Sequence, residues 1–277
     1  GARIEDRSRA RMEETGARWA MVRADGGTVK PYYQSASGDV TVYCGRWEDC
    51  VGAGCVEVAS VGLVHADPPY GIRLDTKARG KSRREVGLGG QYIPKRSWAP
   101  VIGDDAPFDP APILALNRPT VIWGGNHFAS RLPDSPSWIW WDKREEQPEI
   151  DNADGELAWS NLGGPARRFA FLWRGLTRRS EGMGGATGSS PHLHPTQKPI
   201  ALSTYIFTRA RLKPGALVFV PFLGSGPDLP AALAMGLRVV ACDVSEECCR
   251  VAVGARLGAV AQGRAAEPVG PLFSRKP

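Results

Sequence analysis

"VFVPFLGSGPDLPAALAMGLRVVACDVS", residues 218–245, is the stretch on which the fold turns. Val218, Phe219 and Val220 leave no polar position in the first run, as in a strand covered on both faces. Gly224-Ser225-Gly226 follows, and glycine, lacking a Cβ, lets the backbone turn tightly and approach a ligand closely. A helix is expected from Asp228, and a second apolar run, "RVVACDV" (238–244), carries Asp243 near its end. Strand, glycine turn, helix and strand form a unit of an open α/β sheet, in which ligands bind beyond the carboxyl ends of strands. An acid about twenty residues after the glycines is placed to accept hydrogen bonds from ribose hydroxyls. Gly224, Gly226 and Asp243 therefore suit a nucleoside cofactor; they also suit an ordinary tight turn between strand and helix.

Further runs of the same kind lie at "VTVYCG" (40–45), "SVGLVHA" (60–66), "TVIWGG" (120–125), "SWIWWDK" (137–143), "RFAFLWRG" (168–175) and "ALVFVPF" (216–222). Helices are expected near Ile113, over "IALSTYIFTRARL" (200–212), over "DLPAALAMGL" (228–237) and over "SEECCRVAVGARLG" (245–258). Ser245 is a fitting N-cap for the last of these, although Cys248 stands where a complete capping box has an acid. Strands alternating with helices predict an α/β fold, a mostly parallel twisted sheet with helices on both faces.

With 277 residues and 42% apolar content, the chain can fill the core of one large α/β domain or two small ones. No apolar run approaches 18 residues, and the first twenty residues are charged where a signal peptide is apolar, so no membrane span is expected and the cytoplasm is the expected compartment. Cys44, Cys50, Cys55, Cys242, Cys248 and Cys249 form no CxxC pair and no finger-like spacing, so reduced apolar thiols are expected and a metal site is not. The net charge of +6 is concentrated. Arg73, Lys77, Arg79, Lys81, Arg83, Arg84, Lys95 and Arg96, set against Asp75 and Glu85, account for all of it within residues 73–96. A second basic group, Arg167, Arg168, Arg174, Arg178 and Arg179, lies further on. Such clusters suit loops that meet a polyanion, and they equally suit solvated loops.

"SVGLVHADPPYGIRL" (60–74) ends a strand at Asp67-Pro68-Pro69-Tyr70. Consecutive prolines fix φ and lack amide hydrogens, so the loop is stiff and the Pro68 carbonyl is not easily turned away. A fixed carboxylate beside a fixed carbonyl makes two acceptors for the two hydrogens of a planar NH2 group, and Tyr70 offers a flat face to a base. A plain Pro-Pro turn is the alternative.

The hexapeptide "HPTQKP", His194 to Pro199, is far more specific. DPPY, HPTQKP and a PFxGSG turn, in this order, resemble the β-class DNA amino methyltransferases, which methylate adenine N6 or cytosine N4 with S-adenosylmethionine. The resemblance runs from "KPYYQSASGDVTVYCG" through "GGNHF", "WIWWDK" and "ELAW" to "CCRVAVGARLG". It implies a Rossmann-like methyltransferase fold in permuted motif order, with the catalytic loop ahead of the cofactor loop. It implies a catalytic set of Asp67, Pro68, Pro69 and Tyr70. The cofactor would meet Gly45, Phe222, Gly224, Ser225, Gly226 and Asp243, with His194, Thr196, Gln197 and Lys198 around its methionine end. Double-stranded DNA is the implied partner, with Arg73, Lys77, Arg79, Lys81, Arg83 and Arg84 as candidate contacts; a homodimer is left open. The implied organisation is an extension over 1–28, a catalytic domain over 29–260 with target-recognition insertions around 73–100 and 144–193, and a tail over 261–277. Adenine N6 in a site-specific modification enzyme is the expected target, with cytosine N4 or a degenerate DNA-binding homologue as alternatives. Three positions depart from the family pattern. Val220 replaces an acid placed near the cofactor's ammonium group, Pro227 replaces a threonine, and Arg46 follows Gly45 where the family has Asp or Asn. The expectation is either a reduced cofactor affinity or a partial replacement of the lost carboxylate by Asp228.

Overall fold

Strands with no polar face need cover on both sides, and the alternation of their side chains shows where it comes from. A computed structural model describes residues 29–76, 98–148, 153–174, 177–179 and 194–258. The expected extension over 1–28 and the tail over 261–277 lie outside the described residues. The main sheet runs through β1 (Tyr33–Gln34), β2 (Val40–Cys44), β3 (Val61–Ala66), β4 (Thr120–Trp123), β5 (Trp138–Asp142), β6 (Gly155–Ser160), β7 (Arg167–Ala170), β10 (Leu217–Val220) and β11 (Arg238–Asp243). A separate hairpin pairs β8 (Trp173–Arg174) with β9 (Thr177–Arg178). The order across the sheet is β1-β2-β11-β10-β3-β4-β6-β5-β7. Five pairings, β2 with β11, β11 with β10, β10 with β3, β3 with β4, and β5 with β7, are parallel.

Along each central strand, alternate residues enter two separate apolar cores. Leu63, Val121, Trp123, Val218 and Val220 face one core, which also receives α3 (Ile200–Arg209), α4 (Asp228–Ala234) and α5 (Glu246–Val251). Val64, Ala66, Ile122 and Phe219 face the other, closed by Trp47 and Cys50 of α1 (Trp47–Gly52) and Ile113 of α2 (Ala111–Leu114). Both faces are thus covered by helices, as expected of a mostly parallel α/β sheet. Burying each such side chain contributes about 1.5–3 kcal/mol, so the cores are the main source of stability.

The chain goes from β3 through α2 to β4 on one side, and from β10 through α4 to β11 on the other. β3 and β10 are parallel neighbours, with Leu63 opposite Val218 and Val64 opposite Phe219. The connections leaving them diverge, which opens a crevice beyond their carboxyl ends. Asp67 and Phe222 emerge there.

Two expectations need correction. The single strand expected over 168–175 is split: Phe171 NH donates to the Asp142 carbonyl at 3.0 Å, and Trp173 turns into the core with its indole NH on the Gln197 carbonyl at 2.7 Å. The helix expected over 245–258 is α-helical only to Val251 and continues as a π-helix over Ala252–Leu257, which brings buried Arg256 to the Ser225 carbonyl at 3.2 Å. Ser245 Oγ does accept the Cys248 amide, so half of the capping box is present. β6 and α1 went unrecognised in the sequence: β6 carries Glu156 as its second residue, between Gly155 and Leu157, and α1 is a single acidic-fronted turn and a half. All six cysteines are free. No helix among the described residues is long and apolar enough to cross a membrane.

Candidate active site

The loop after β3 is fixed by contacts from three elements. Gly124, at the end of β4, has φ +71°, and a Cβ there would stand 2.2 Å from the Tyr70 ring. Only glycine lets the ring lie against this backbone. His127, in the turn that follows, stacks on Tyr70 with centroids 5.2 Å apart and planes at 18°. Asp104 holds the far end of the loop: its carboxylate accepts the amides of Gly71, Ile72 and Leu74 at 2.8, 3.1 and 2.6 Å. Pro68 is buried, and its carbonyl accepts no hydrogen bond from any described residue.

Asp67 and Tyr70 belong to a cluster of charges. Asp67 Oδ1 lies 2.5 Å from Lys198 Nζ and accepts the Tyr70 hydroxyl at 2.9 Å. Glu156 Oε2 lies 3.0 Å from the same ammonium and 3.1 Å from the same hydroxyl, while Glu156 Oε1 pairs with Lys143. Burial alone would push the Glu156 carboxyl up, but Lys198 and Lys143 hold it far below the usual carboxylate range. Burial would likewise lower Lys198, yet Asp67 and Glu156 raise it above an ordinary lysine. Burial and the two carboxylates push the Tyr70 phenol well up, so it stays protonated and donates. His194 is lowered by burial, with Asp67 opposing and Lys198 assisting, and its Nδ1 lies 3.0 Å from Thr196 Oγ1.

The glycine turn after β10 sits opposite. Asp243 Oδ2 accepts the Gly224 amide and Oδ1 the Ser245 amide, both at 2.8 Å. Burial raises the Asp243 carboxyl, and these two amides only partly offset it. Gly226 has φ +68°, and a Cβ would meet that of Ala252 at 2.5 Å, so the turn packs directly on the π-helix. Between the two loops, a buried chain of polar groups runs across the sheet. Trp123 Nε1–H donates to His65 Nε2 at 2.8 Å, and His65 Nδ1 lies 2.7 Å from Asp228 Oδ1. An indole NH can only donate, so Nε2 carries the lone pair and Nδ1 carries the proton that goes to Asp228. His65 is therefore a neutral imidazole in this arrangement, and Asp228 is 5% exposed with its second oxygen unengaged by any described residue.

A cleft of about 390 Å³, part of it open to solvent, lies between these groups. It is lined from the first loop by His65 and Asp67, from the HPTQKP segment by His194, Thr196 and Lys198, and from the second by Phe222, Gly224, Ser225 and Asp228. Gly226, Gln197 and Asp243 do not line the cleft itself; Gln197 is buried, and its carbonyl anchors Trp173. Gly45 donates its amide to the Asp243 carbonyl at 2.8 Å. Arg46 points away, 67% exposed and paired with Glu48 at 3.2 Å, so its cation does not enter the cleft. Val220 is buried within β10, and the carboxylate that reaches the cleft on this side is that of Asp228.

Of the basic residues expected to meet DNA, Arg73 is exposed just after the Asp67–Tyr70 loop, with φ +53° and its amide on the Asp104 carbonyl. Lys77, Arg79, Lys81, Arg83 and Arg84 lie outside the described residues. The second basic group is largely committed within the protein. Arg168 pairs with Asp142 at 2.6 Å, Arg179 pairs with Glu145 at 2.6 Å, and Arg178 lies over the Trp173 ring at 4.5 Å. Glu156, Lys143, Asp104, His65 and Arg256 were not singled out by sequence reasoning, because each is defined by a partner remote in the chain. Among the described residues no group of His, Cys, Asp and Glu could hold a metal ion.

The switch point of the sheet brings Asp67, at the start of the Asp-Pro-Pro-Tyr loop, to the same cleft as the glycine turn. Residues 120–254 match the model of a DNA methylase family, that of the N6 and N4 methyltransferases. Among solved structures, it is similar to the M1.HpyAVI–SAM complex, at 18% identity over 77% of this chain and 97% of that one, with a TM-score of 0.47. It is also similar to the PvuII DNA methyltransferase (cytosine-N4-specific), at 12% identity over 78% of this chain and 86% of that one, with a TM-score of 0.48. Neither likeness bears on which base this chain modifies.

The charge cluster makes stability depend on pH in a defined way. Glu156 is lowered on folding, so its contribution is complete above the unfolded value of about 4.3 and is lost as pH falls toward its low folded value. Lys198 is raised, so its contribution is complete below about 10.4 and is lost as pH rises through its folded value. Urea unfolding should show Glu156→Gln less stable than wild type at pH 7, with a gap that narrows steadily below about pH 4. A gap independent of pH would mean that the carboxylate carries no net pairing energy.

Proposed function

We propose that this protein transfers a methyl group from S-adenosylmethionine to the exocyclic N6 amine of an adenine flipped out of double-stranded DNA. The observation that carries the reading is that Asp67 lines the same cleft as Gly224 and Ser225, across the switch point between β3 and β10. The adenine assignment rests on the DPPY form of the loop, which resembles adenine-specific members more than cytosine-specific ones.

The residues present suit the cofactor. Its methionine end carries a cation, and Asp228 presents a buried, unneutralised carboxylate to the cleft because its partner His65 is neutral. Thr196 and His194 would flank this end, with Phe222, Gly224 and Ser225 along the remainder. Asp243 keeps a lone pair on each oxygen beyond its two amide contacts and would meet the ribose. S-adenosylmethionine, when bound, supplies a sulfonium methyl whose carbon bonds the amine nitrogen as the carbon–sulfur pair stays on sulfur.

An aryl amine is a weak nucleophile because its lone pair is delocalised into the ring. Asp67 and the unengaged Pro68 carbonyl would accept its two hydrogens, draw the nitrogen toward tetrahedral geometry and hold the lone pair in line; Asp67 then passes the surplus proton toward solvent. Tyr70 and His127 would form the stacking surface beside the amine. Arg73 and the basic run after it would hold phosphates, which position the duplex without reading its sequence.

Incubation with mixed-sequence DNA and labelled cofactor, followed by mass analysis of nucleosides, should yield N6-methyladenine, and Asp67→Ala should reduce transfer by at least about 1,000-fold. N4-methylcytosine would reassign the base. No transfer by the unaltered protein would leave a DNA-binding homologue.

Asp228 has its own test. By calorimetry, Asp228→Asn should weaken S-adenosylmethionine binding by about 10-fold or more, the loss of a charge-assisted contact, while a neutral adenosine fragment should bind both proteins alike. Equal affinity of the two proteins for S-adenosylmethionine would remove Asp228 from the site.

A further inference from the structure

Lys198 is 7% exposed along its side chain, and its ammonium has three neighbours: Asp67 Oδ1 at 2.5 Å, Glu156 Oε2 at 3.0 Å and the Tyr70 hydroxyl at 3.2 Å. The Tyr70 hydroxyl has one hydrogen to give, and its two acceptors are the same carboxylates, at 2.9 Å on Asp67 and 3.1 Å on Glu156. Lys143, on Glu156 Oε1, completes a set of two acids and two ammonium groups whose formal charges cancel. Asp67 cannot serve a target amine well while it is the sole counter-ion of a buried lysine, because stranding that ammonium costs several kcal/mol. A second carboxylate on the same ammonium removes the conflict.

We propose that Glu156, reaching in from the antiparallel strand β6, is a positioning residue for methyl transfer: it retains the Lys198 ammonium so that Asp67 is free to accept the target amine. The inference rests on the methyltransferase reading above. It assigns a role to the acid of "ELAW", and it explains why β6 tolerates a charge near its start. Glu156 is placed to act through Lys198 and the Tyr70 hydroxyl rather than on the substrate itself. Its removal should therefore leave substrate and cofactor binding intact and impair the chemical step. In Glu156→Gln, Lys198 is left with Asp67 as its one ionised partner in the cluster, and the pair closes against the incoming amine.

Steady-state methylation of DNA, with cofactor affinity measured in parallel by calorimetry, separates the possibilities. Glu156→Gln should lower kcat by about 10- to 100-fold, with KM for DNA and Kd for cofactor within about twofold of wild type. Glu156→Asp, which keeps the charge and the neutral cluster, should retain kcat within about threefold whether or not the glutamine variant folds well. An unchanged kcat in Glu156→Gln overturns the proposal, as does a loss in Glu156→Asp beyond about 10-fold or a loss confined to KM. Absence of methyl transfer in the wild-type protein, with DNA and cofactor still bound, would instead contradict the methyltransferase reading and take this proposal with it.

Discussion

β3 and β10 lie side by side and parallel at the centre of the sheet, while the chain leaves them in opposite directions. Everything in the site follows from that arrangement. Had both connections run the same way, a helix would cover the strand ends and the Asp67 and Gly224 loops would not face a common cleft. The pairing is secured by burial on both sides, since Leu63 and Val218 enter one core while Val64 and Phe219 enter the other. A slip of one residue would exchange these sets and re-aim both loops.

Two buried carboxylate systems border the cleft, and they differ in charge. Around Asp67 the two acids and two lysines balance, so that part of the site is a neutral, tightly bonded frame. Around Asp228 the partner is an imidazole whose Nε2 accepts the Trp123 indole, so Oδ1 meets an N–H donor rather than an ammonium or guanidinium group, and the second oxygen meets no described residue. The first arrangement suits a group that offers N–H donors without charge. The second suits a cation. A neutral amine and a positively charged methyl donor are what the proposed reaction brings together.

Much of the fold was legible because the central strands bury both faces and leave no polar residue to confuse the pattern, as in Val218–Val220. β6 was not legible because Glu156 satisfies its charge through Lys198 and Lys143, contacts that strand periodicity cannot express. The run at 168–175 was read as one strand because Phe171 and Trp173 are as apolar as their neighbours; only the distant carbonyls of Asp142 and Gln197 divide it. Of the site, the contiguous motifs could be read directly, Asp67 to Tyr70, His194 to Lys198 and Gly224 to Gly226. Their supports could not. Asp104 acts on amides more than thirty residues earlier in the chain, and His65 meets Asp228 at a separation of 163 residues. The basic segment remains a sequence observation beyond Arg73, and of the arginines further on Arg168 pairs with Asp142 and Arg179 with Glu145.

The meeting of the two loops around one ligand can be observed without any turnover. Backbone amide resonances of the labelled protein, followed during titration with S-adenosylhomocysteine, report which residues sense the ligand. Perturbations gathered at His65 to Tyr70, Thr196 to Lys198 and Leu223 to Asp228 are what a shared cleft predicts. Perturbations restricted to one loop, or appearing at the β7 edge while the β3 and β10 ends stay silent, would contradict it.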